Sequence, residues 1–194
     1  MELAPLLARA EAVALGPGLG RHAWGAAMLD AALAEPRRLV LDADALNGLA
    51  ERGDWTLREA VLTPHPGEAA RLLATSTQAV QDDRFAAAEA LRDRTGSVVV
   101  LKGAGTIVAA PGTTTRLLPG ARPAMASGGM GDVLTGIIAA LMAQGMAATD
   151  AACTGAALHA RAADSEAPRV GAYGLVATDL IGSLGRLRSD VTDG

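Results

Sequence analysis

Short apolar runs that each end in a glycine-rich or charged turn constrain the fold of this chain more than any other feature. Four of them stand in the first 106 residues: AVAL before GPGLG, LVL before DADALN, AVL before TPHPGE, and SVVVL before KGAGT. Such continuous runs are typical of strands covered on both faces. Helical patterns separate them, as in Arg84–Arg94. Strands that alternate with helices predict an α/β protein with a mainly parallel sheet flanked by helices on both faces.

The turns after these runs form the predicted ligand site. In a parallel α/β sheet, ligands bind in the crevice at the carboxyl ends of the strands. GPGLG, LDADALN, TPHPGE and LKGAGT all directly follow a strand candidate, so we expect them to converge on one edge of the sheet.

The rest of the chain predicts a single domain over residues 1–194, without repeats or a linker. TIVAA and TTTRLL read as a hairpin joined through Pro111–Gly112. A long apolar helix is expected to open at Asp132, and further helices over about 150–163 and 175–187. The segment Asp164–Ala172 between the last two is predicted to be a polar loop.

Composition excludes several classes of function. A formal charge of −4 argues against nucleic acid as the main partner, which would need a clustered basic surface. One cysteine, Cys153, fits a reducing compartment and reads as a buried structural thiol. No signal peptide and no apolar run of the roughly 20 residues that a membrane span needs is evident. We therefore expect a cytoplasmic protein without a membrane partner.

The segment ASGGMGD is the strongest candidate for chemistry. Gly128, Gly129 and Gly131 let successive N–H groups face an anion, and a helix beginning here adds its positive end. Asp132 at the mouth of such a cradle would accept a proton from a substrate hydroxyl as phosphorus is attacked. A plain N-cap explains Asp132 equally well from spacing alone.

The turn LKGAGT holds Lys102, which is the only lysine of the chain. Lys102, followed by two glycines and Thr106, suits nucleotide phosphates that approach the backbone. It is not a Walker A motif, because the lysine precedes the glycines. A β-turn with a solvated lysine is the alternative.

The turn TPHPGE places His65 and Glu68 at a strand end. Glu68 would hold Mg²⁺ through water, and His65 would hydrogen-bond a polar substrate. The alternative is a helix start with Glu68 in its first turn, which Pro66–Gly67 favours. Of the remaining candidates, His159 reads as packed within a helix, His22 as a helix start, and one acid of LDADALN as a helix cap.

Taken in order, GPGLGR, LDADALN, TPHPGEAARLL, VVVLKGAGT and MASGGMGDVLTGIIAALMAQG resemble the ADP/ATP-dependent NAD(P)H-hydrate dehydratases of the ribokinase-like superfamily. The resemblance covers nearly the whole chain. It implies that ADP, or ATP, phosphorylates a hydroxyl on hydrated NADH or NADPH, that phosphate then leaves, and that NAD(P)H, AMP and phosphate result. It also implies Mg²⁺ and a homo-oligomer, for example a tetramer.

The resemblance assigns roles by matching positions. Asp132 would be the base, and Gly128, Gly129 and Gly131 the anion cradle. The adenine nucleotide would contact Lys102, Gly103, Ala104, Gly105, Thr106 and Gly131. The hydrate would contact Gly18, Gly20, His65 and Asp132. Glu68 would take the position of the Mg²⁺-linked acid.

Two departures from the family pattern leave alternatives open. Arg122 stands where the family usually has asparagine. We expect the strands and helices that family members have before GPGLG, and the epimerase domain fused to some of them, to be absent. The sequence therefore predicts an N-terminally shortened domain whose free sheet edge favours self-association. A ribokinase-like small-molecule kinase and an inactive nucleotide-binding protein are the alternative functions.

Overall fold

The computed structural model describes residues 3–34, 37–53, 55, 57, 59–120, 125, 127–171 and 174–192, with side chains as far as 186. In this part of the chain, strands run in the spatial order β1 to β6 in one sheet. They are β1 Val13–Leu15, β2 Leu39–Leu41, β3 Ala60–Leu62, β4 Val98–Leu101, β5 Thr106–Ala109 and β6 Arg116–Leu118. Strands β1 to β4 pair in parallel, whereas β5 and β6 are antiparallel. The mainly parallel sheet and the predicted hairpin are both confirmed.

Helices cover both faces of this sheet, as the continuous apolar runs predict. Their bounds are α1 Leu3–Arg9, α2 Ala23–Leu33, α3 Ala43–Arg52, α4 Pro66–Leu73, α5 Thr77–Asp82, α6 Arg84–Thr95, α7 Met130–Ala143, α8 Ala148–Val170 and α9 Ala177–Thr192. One face, including Leu41 and Leu62, packs against helices α2 to α6. The other face, including Val40 and Val61, packs against α7 and α8. Every residue of β2, β3 and β4 is buried as a result.

The predicted polar loop over Asp164–Ala172 is wrong for its described residues up to Val170, because α8 continues to that position. Ala172 lies outside the described residues. Glu166 is buried there and accepts hydrogen bonds from Arg169 and from Arg186 of α9. The polar residues thus form a contact between two helices, which composition alone does not distinguish from a loop.

Helix α7 also begins earlier than expected. Gly129, with a left-handed φ of 85°, is its N-cap, and Met130 is its first residue. Asp132 therefore lies within the first turn, and the alternative that made it the N-cap is wrong. Among the described residues, no helix is both long and apolar enough to cross a membrane.

Candidate active site

The carboxyl ends of strands β1 to β4 bring the four predicted turns together. Hydrogen bonds join these turns directly. The amide of Asp42 donates to Leu15 O at 3.0 Å, and the amide of Lys102 donates to Pro64 O at 2.8 Å. The amide of Gly20 donates to the Asp44 carboxylate at 2.9 Å. The convergence that the order of motifs predicts is confirmed.

Asp42 is a buried acid at the centre of this edge, with 1% of its surface exposed. Its Oδ1 lies 2.6 Å from Lys102 Nζ and accepts the Ala43 amide at 2.9 Å. Its Oδ2 accepts the hydroxyl of Thr135, on α7, at 3.0 Å. A buried carboxylate is stable only with partners of this kind. Asp42 therefore ties the end of β2 to the turn after β4 and to α7.

Gly131 lies directly over the pair formed by Lys102 and Asp42. A Cβ atom at Gly131 would stand 3.1 Å from Lys102 Nζ and 3.3 Å from Asp42 Oδ2. The missing side chain lets the ammonium approach the first turn of α7. Asp132 is the next residue along the chain, and it is exposed. Lys102 and the glycine loop, residues 127–131, thus meet, although Lys102 and Gly131 are 29 positions apart in the sequence.

The glycine loop is held from the side of α9. Ser127 Oγ donates to Leu175 O at 3.0 Å, and a Cβ atom at Gly129 would lie 3.1 Å from the Cβ of Ala177. Met130 and Leu175 are buried in one apolar cluster. The N-terminus of α7, with its first-turn amides and positive dipole end, therefore lies at the sheet edge and is held in place by this packing.

His65 and Glu68 form a capping box at the start of α4. The amide of Gly67 donates to His65 Nδ1 at 3.0 Å, and Glu68 Oε2 accepts the His65 amide at 2.8 Å. His65 Nε2 lies 3.2 Å from Glu68 Oε1. The helix-start interpretation of TPHPGE is thus confirmed. Glu68 nevertheless belongs to the site, because its Oε2 lies 3.9 Å from Lys102 Nζ.

The backbone between the two acids of LDADALN is strained. Ala43 has φ of 45°, a left-handed conformation that costs a residue with a side chain about 1–2 kcal/mol. It separates Asp42, which points to Lys102, from Asp44, which accepts the Gly20 amide. Strain of this kind accumulates at functional sites. The sequence predicted only that one of these acids caps α3, which Asp42 does.

His159 of α8 lies behind the glycine loop, next to the main chain of Met130. Burial lowers its pKa to about 4, and the nearby charge of Lys102 acts in the same direction. The imidazole is therefore neutral at pH 7. The prediction of a packed histidine within a helix is confirmed.

The remaining candidates lie around this centre. Gly18 is exposed in the turn after β1, and Gly20 lines a pocket together with Asp44 and Arg52. Among the described residues, no three His, Cys, Asp or Glu side chains lie close enough to hold a metal ion. Arg122 falls outside the described part of the chain.

The sheet order, the glycine loop at a helix N-terminus and the adjoining lysine define a ribokinase-like α/β protein. Within that class, the family model for NAD(P)H-hydrate dehydratase matches residues 1–186. The chain belongs to this family, as the resemblance of its motifs predicts.

Individual relatives agree with this assignment. The chain is 47% identical over 185 residues to the bifunctional NAD(P)H-hydrate repair enzyme Nnr of Escherichia coli (strain K12), a match that covers 95% of this chain and 36% of that protein. It is 42% identical over 188 residues to the ADP-dependent (S)-NAD(P)H-hydrate dehydratase of Neisseria meningitidis serogroup B, covering 93% and 63%.

A solved structure is similar over the same region. The ADP/ATP-dependent NAD(P)H-hydrate dehydratase of Bacillus subtilis, co-crystallized with ATP/Mg²⁺, superposes with a TM-score of 0.83 at 30% identity, covering 95% of this chain and 68% of that one. The chain spans about a third of the bifunctional relative and less than two thirds of the Neisseria enzyme.

Proposed function

We propose that this chain dehydrates (S)-NAD(P)H hydrate at the expense of ADP, giving NAD(P)H, AMP and phosphate. The observation that carries the proposal is the meeting of Lys102 with the glycine loop, one residue before the exposed Asp132. The names of the relatives support the substrate and the nucleotide. ATP is the alternative phosphoryl donor.

The reaction has two steps. In the first, the hydroxyl oxygen of the hydrated ring attacks the terminal phosphorus of ADP, AMP leaves, and Asp132 takes the hydroxyl proton. In the second, the ring C–O bond breaks with phosphate as the leaving group, and the neighbouring ring carbon gives up a proton. Hydroxide is a poor leaving group and phosphate is a good one, which is the chemical reason for consuming a nucleotide.

The glycine loop would hold the phosphoryl group during transfer. Amides of Gly128, Gly129 and Gly131 and the positive end of α7 suit the negative charge on the phosphoryl oxygens. The ammonium of Lys102, under Gly131, adds a full positive charge at the same place. Because Asp42 holds that ammonium, the charge is oriented before the substrate binds.

The nucleotide and the hydrate would bind on either side of this centre. We assign the nucleotide to the turn over residues 102–106 and to Gly131. We assign the hydrate to Gly18, Gly20 and His65. Both ring nitrogens of His65 already have protein partners, so a polar group of the hydrate would exchange with the Glu68 contact rather than meet a free imidazole.

Mg²⁺ would be held mainly by nucleotide phosphates and water, as is usual for this ion in phosphoryl transfer. Glu68 is the protein group that we assign to it, through water. The Glu68 carboxylate is buried and its oxygens already contact His65. A contact with Mg²⁺ through water therefore fits this arrangement better than direct ligation. When bound, the ion neutralises charge on the phosphates.

We also propose that the chain self-associates as a homo-oligomer through β1. Among the described residues, this strand lies at one end of the sheet order, and Ala14 in its centre is exposed. Light scattering during gel filtration measures the mass, and a monomer over the micromolar range would contradict the proposal.

The test of the activity is direct. The purified chain is mixed with hydrated NADH, ADP and Mg²⁺, while NADH absorbance and AMP release are followed together. Recovery of NADH with equal amounts of AMP supports the proposal. Nucleotide binding without turnover would favour an inactive binding protein, and phosphorylation of another alcohol would favour a kinase.

A further inference from the structure

The side chain of Arg84, the first residue of α6, contacts the turn over residues 102–106, which is assigned to the nucleotide. Its guanidinium donates to Ala104 O at 2.8 Å, to Gly105 O at 2.6 Å and to Leu101 O at 3.3 Å. The contact is close, since a Cβ atom at Gly103, where φ is 151°, would stand 2.7 Å from Arg84 Nη2. One side chain thus holds carbonyls from both ends of the turn.

This arginine has no acidic partner in the described part of the chain. Its hydrogen bonds there all go to main-chain carbonyls, and its Nε is buried without a partner. Burial without a nearby carboxylate lowers the pKa of Arg84, which still remains charged. Arg84 differs in this from Arg169 and Arg186, which both pair with the carboxylate of Glu166.

The carbonyls that Arg84 binds determine where the neighbouring amides point. A peptide unit is planar and trans, so its N–H points opposite to its C=O. With Ala104 O and Gly105 O directed at Arg84, the amides of Gly105 and Thr106 are directed away from it. Amides arranged in this way face an anion on the opposite side of the turn.

We propose that Arg84 is a positioning residue for the phosphates of the bound nucleotide. It holds the carbonyls of Leu101, Ala104 and Gly105 inward, so that the amides of Gly105 and Thr106 face the phosphates, and its positive charge raises the potential there. The proposal rests on the assignment of this turn to the adenine nucleotide.

The test compares Arg84→Met and Arg84→Lys with Arg92→Met by calorimetric titration with ADP and with adenosine. Arg92 is on the same helix and pairs with the neighbouring Asp93, so its replacement removes the same charge away from the turn. We expect Arg84→Met to weaken ADP binding by about 10- to 100-fold, the loss typical of hydrogen bonds from a charged donor. Adenosine, which lacks phosphates, should bind all three variants and the unaltered chain alike.

Arg84→Lys separates positioning from charge. Lysine keeps the charge but lacks the planar fork that binds several carbonyls, so we expect ADP affinity to fall, though by less than in Arg84→Met. Amide exchange over residues 103–106 should also become faster in both variants. Full ADP affinity in Arg84→Lys would overturn the positioning role and leave only charge.

Two further outcomes keep this inference distinct from the proposed function. If Arg84→Met lowers the melting temperature but binds ADP normally below it, Arg84 is a structural anchor and the inference fails, while the proposed function stands. If the unaltered chain binds no adenine nucleotide, the proposed function fails and the inference fails with it.

Discussion

Lys102 Nζ and Asp42 Oδ1 lie 2.6 Å apart, and this ion pair lies beneath Gly131 at the start of α7. The carboxylate is buried, whereas the lysine side chain keeps about a fifth of its surface exposed. The two charged groups therefore differ in exposure and in role. Asp42 anchors it in the fold, and the ammonium is presented at the sheet edge where the glycine loop lies.

Removing the lysine should cost both stability and binding. Lys102→Met leaves a buried carboxylate without its cation, a change that costs about 3–5 kcal/mol of unfolding free energy. Urea unfolding measures this loss. The double variant with Asp42→Asn should recover much of the stability, because neither charge remains, but ADP affinity should stay low. Recovery of affinity in the double variant would show that the ammonium does not contact the nucleotide.

Asp132 carries the proton transfer in the proposed reaction. Asp132→Asn should leave the dissociation constant for ADP nearly unchanged and lower kcat by about 10²- to 10⁴-fold, the usual contribution of a general base. Asp150→Asn is the matched control, since Asp150 is the first-turn acid of α8. Equal rates in the two variants would remove Asp132 from the mechanism.

Gly131 tests the close approach of the lysine to α7. Gly131→Ala would put a methyl group 3.1 Å from Lys102 Nζ, so the ammonium must move. The shift needed is a few tenths of an ångström, so we expect turnover to fall by up to about tenfold, less than the factor of about 100 that a 1 Å displacement can cost. For Gly136→Ala on the same helix, the described residues place no neighbouring group within 4 Å of the new methyl group, so stability should rise by up to about 1 kcal/mol. If both variants turn over normally, the lysine does not need its position under α7.

His159 should make the fold sensitive to acid. Its pKa is about 4 in the folded chain, against about 6.5 when unfolded. The unfolded state therefore binds the proton first, and stability falls as pH drops from about 6.5 towards 4. The full loss from this group is roughly 3 kcal/mol.

The measurement is urea unfolding at pH 7 and at pH 5 for the unaltered chain and for His159→Gln. Glutamine keeps a donor for the main chain of Met130 but does not titrate. The variant should lose less stability than the unaltered chain between the two pH values. Equal losses would mean that His159 is not held neutral by burial.

The chain order of local patterns predicts the architecture of this protein. The apolar runs of β2, β3 and β4 are buried because their aliphatic side chains do not suit water, and alternation with helices makes their pairing parallel. Parallel strands end at the same edge, so the turns that hold His65 and Lys102 had to converge. These inferences need only residue type and spacing.

Long-range packing decides the remaining features, because they depend on residues far apart in sequence. The partnership of Asp42 with Lys102 and Thr135 joins positions 60 and 93 residues apart. In the part of α8 that extends to Val170, Glu166 meets Arg186 of another helix. The role of Arg84 depends on carbonyls of a turn 17 to 21 residues away. In each case a charged side chain meets its partner only when separate helices, strands or turns pack together. A local sequence pattern therefore cannot predict the pairing.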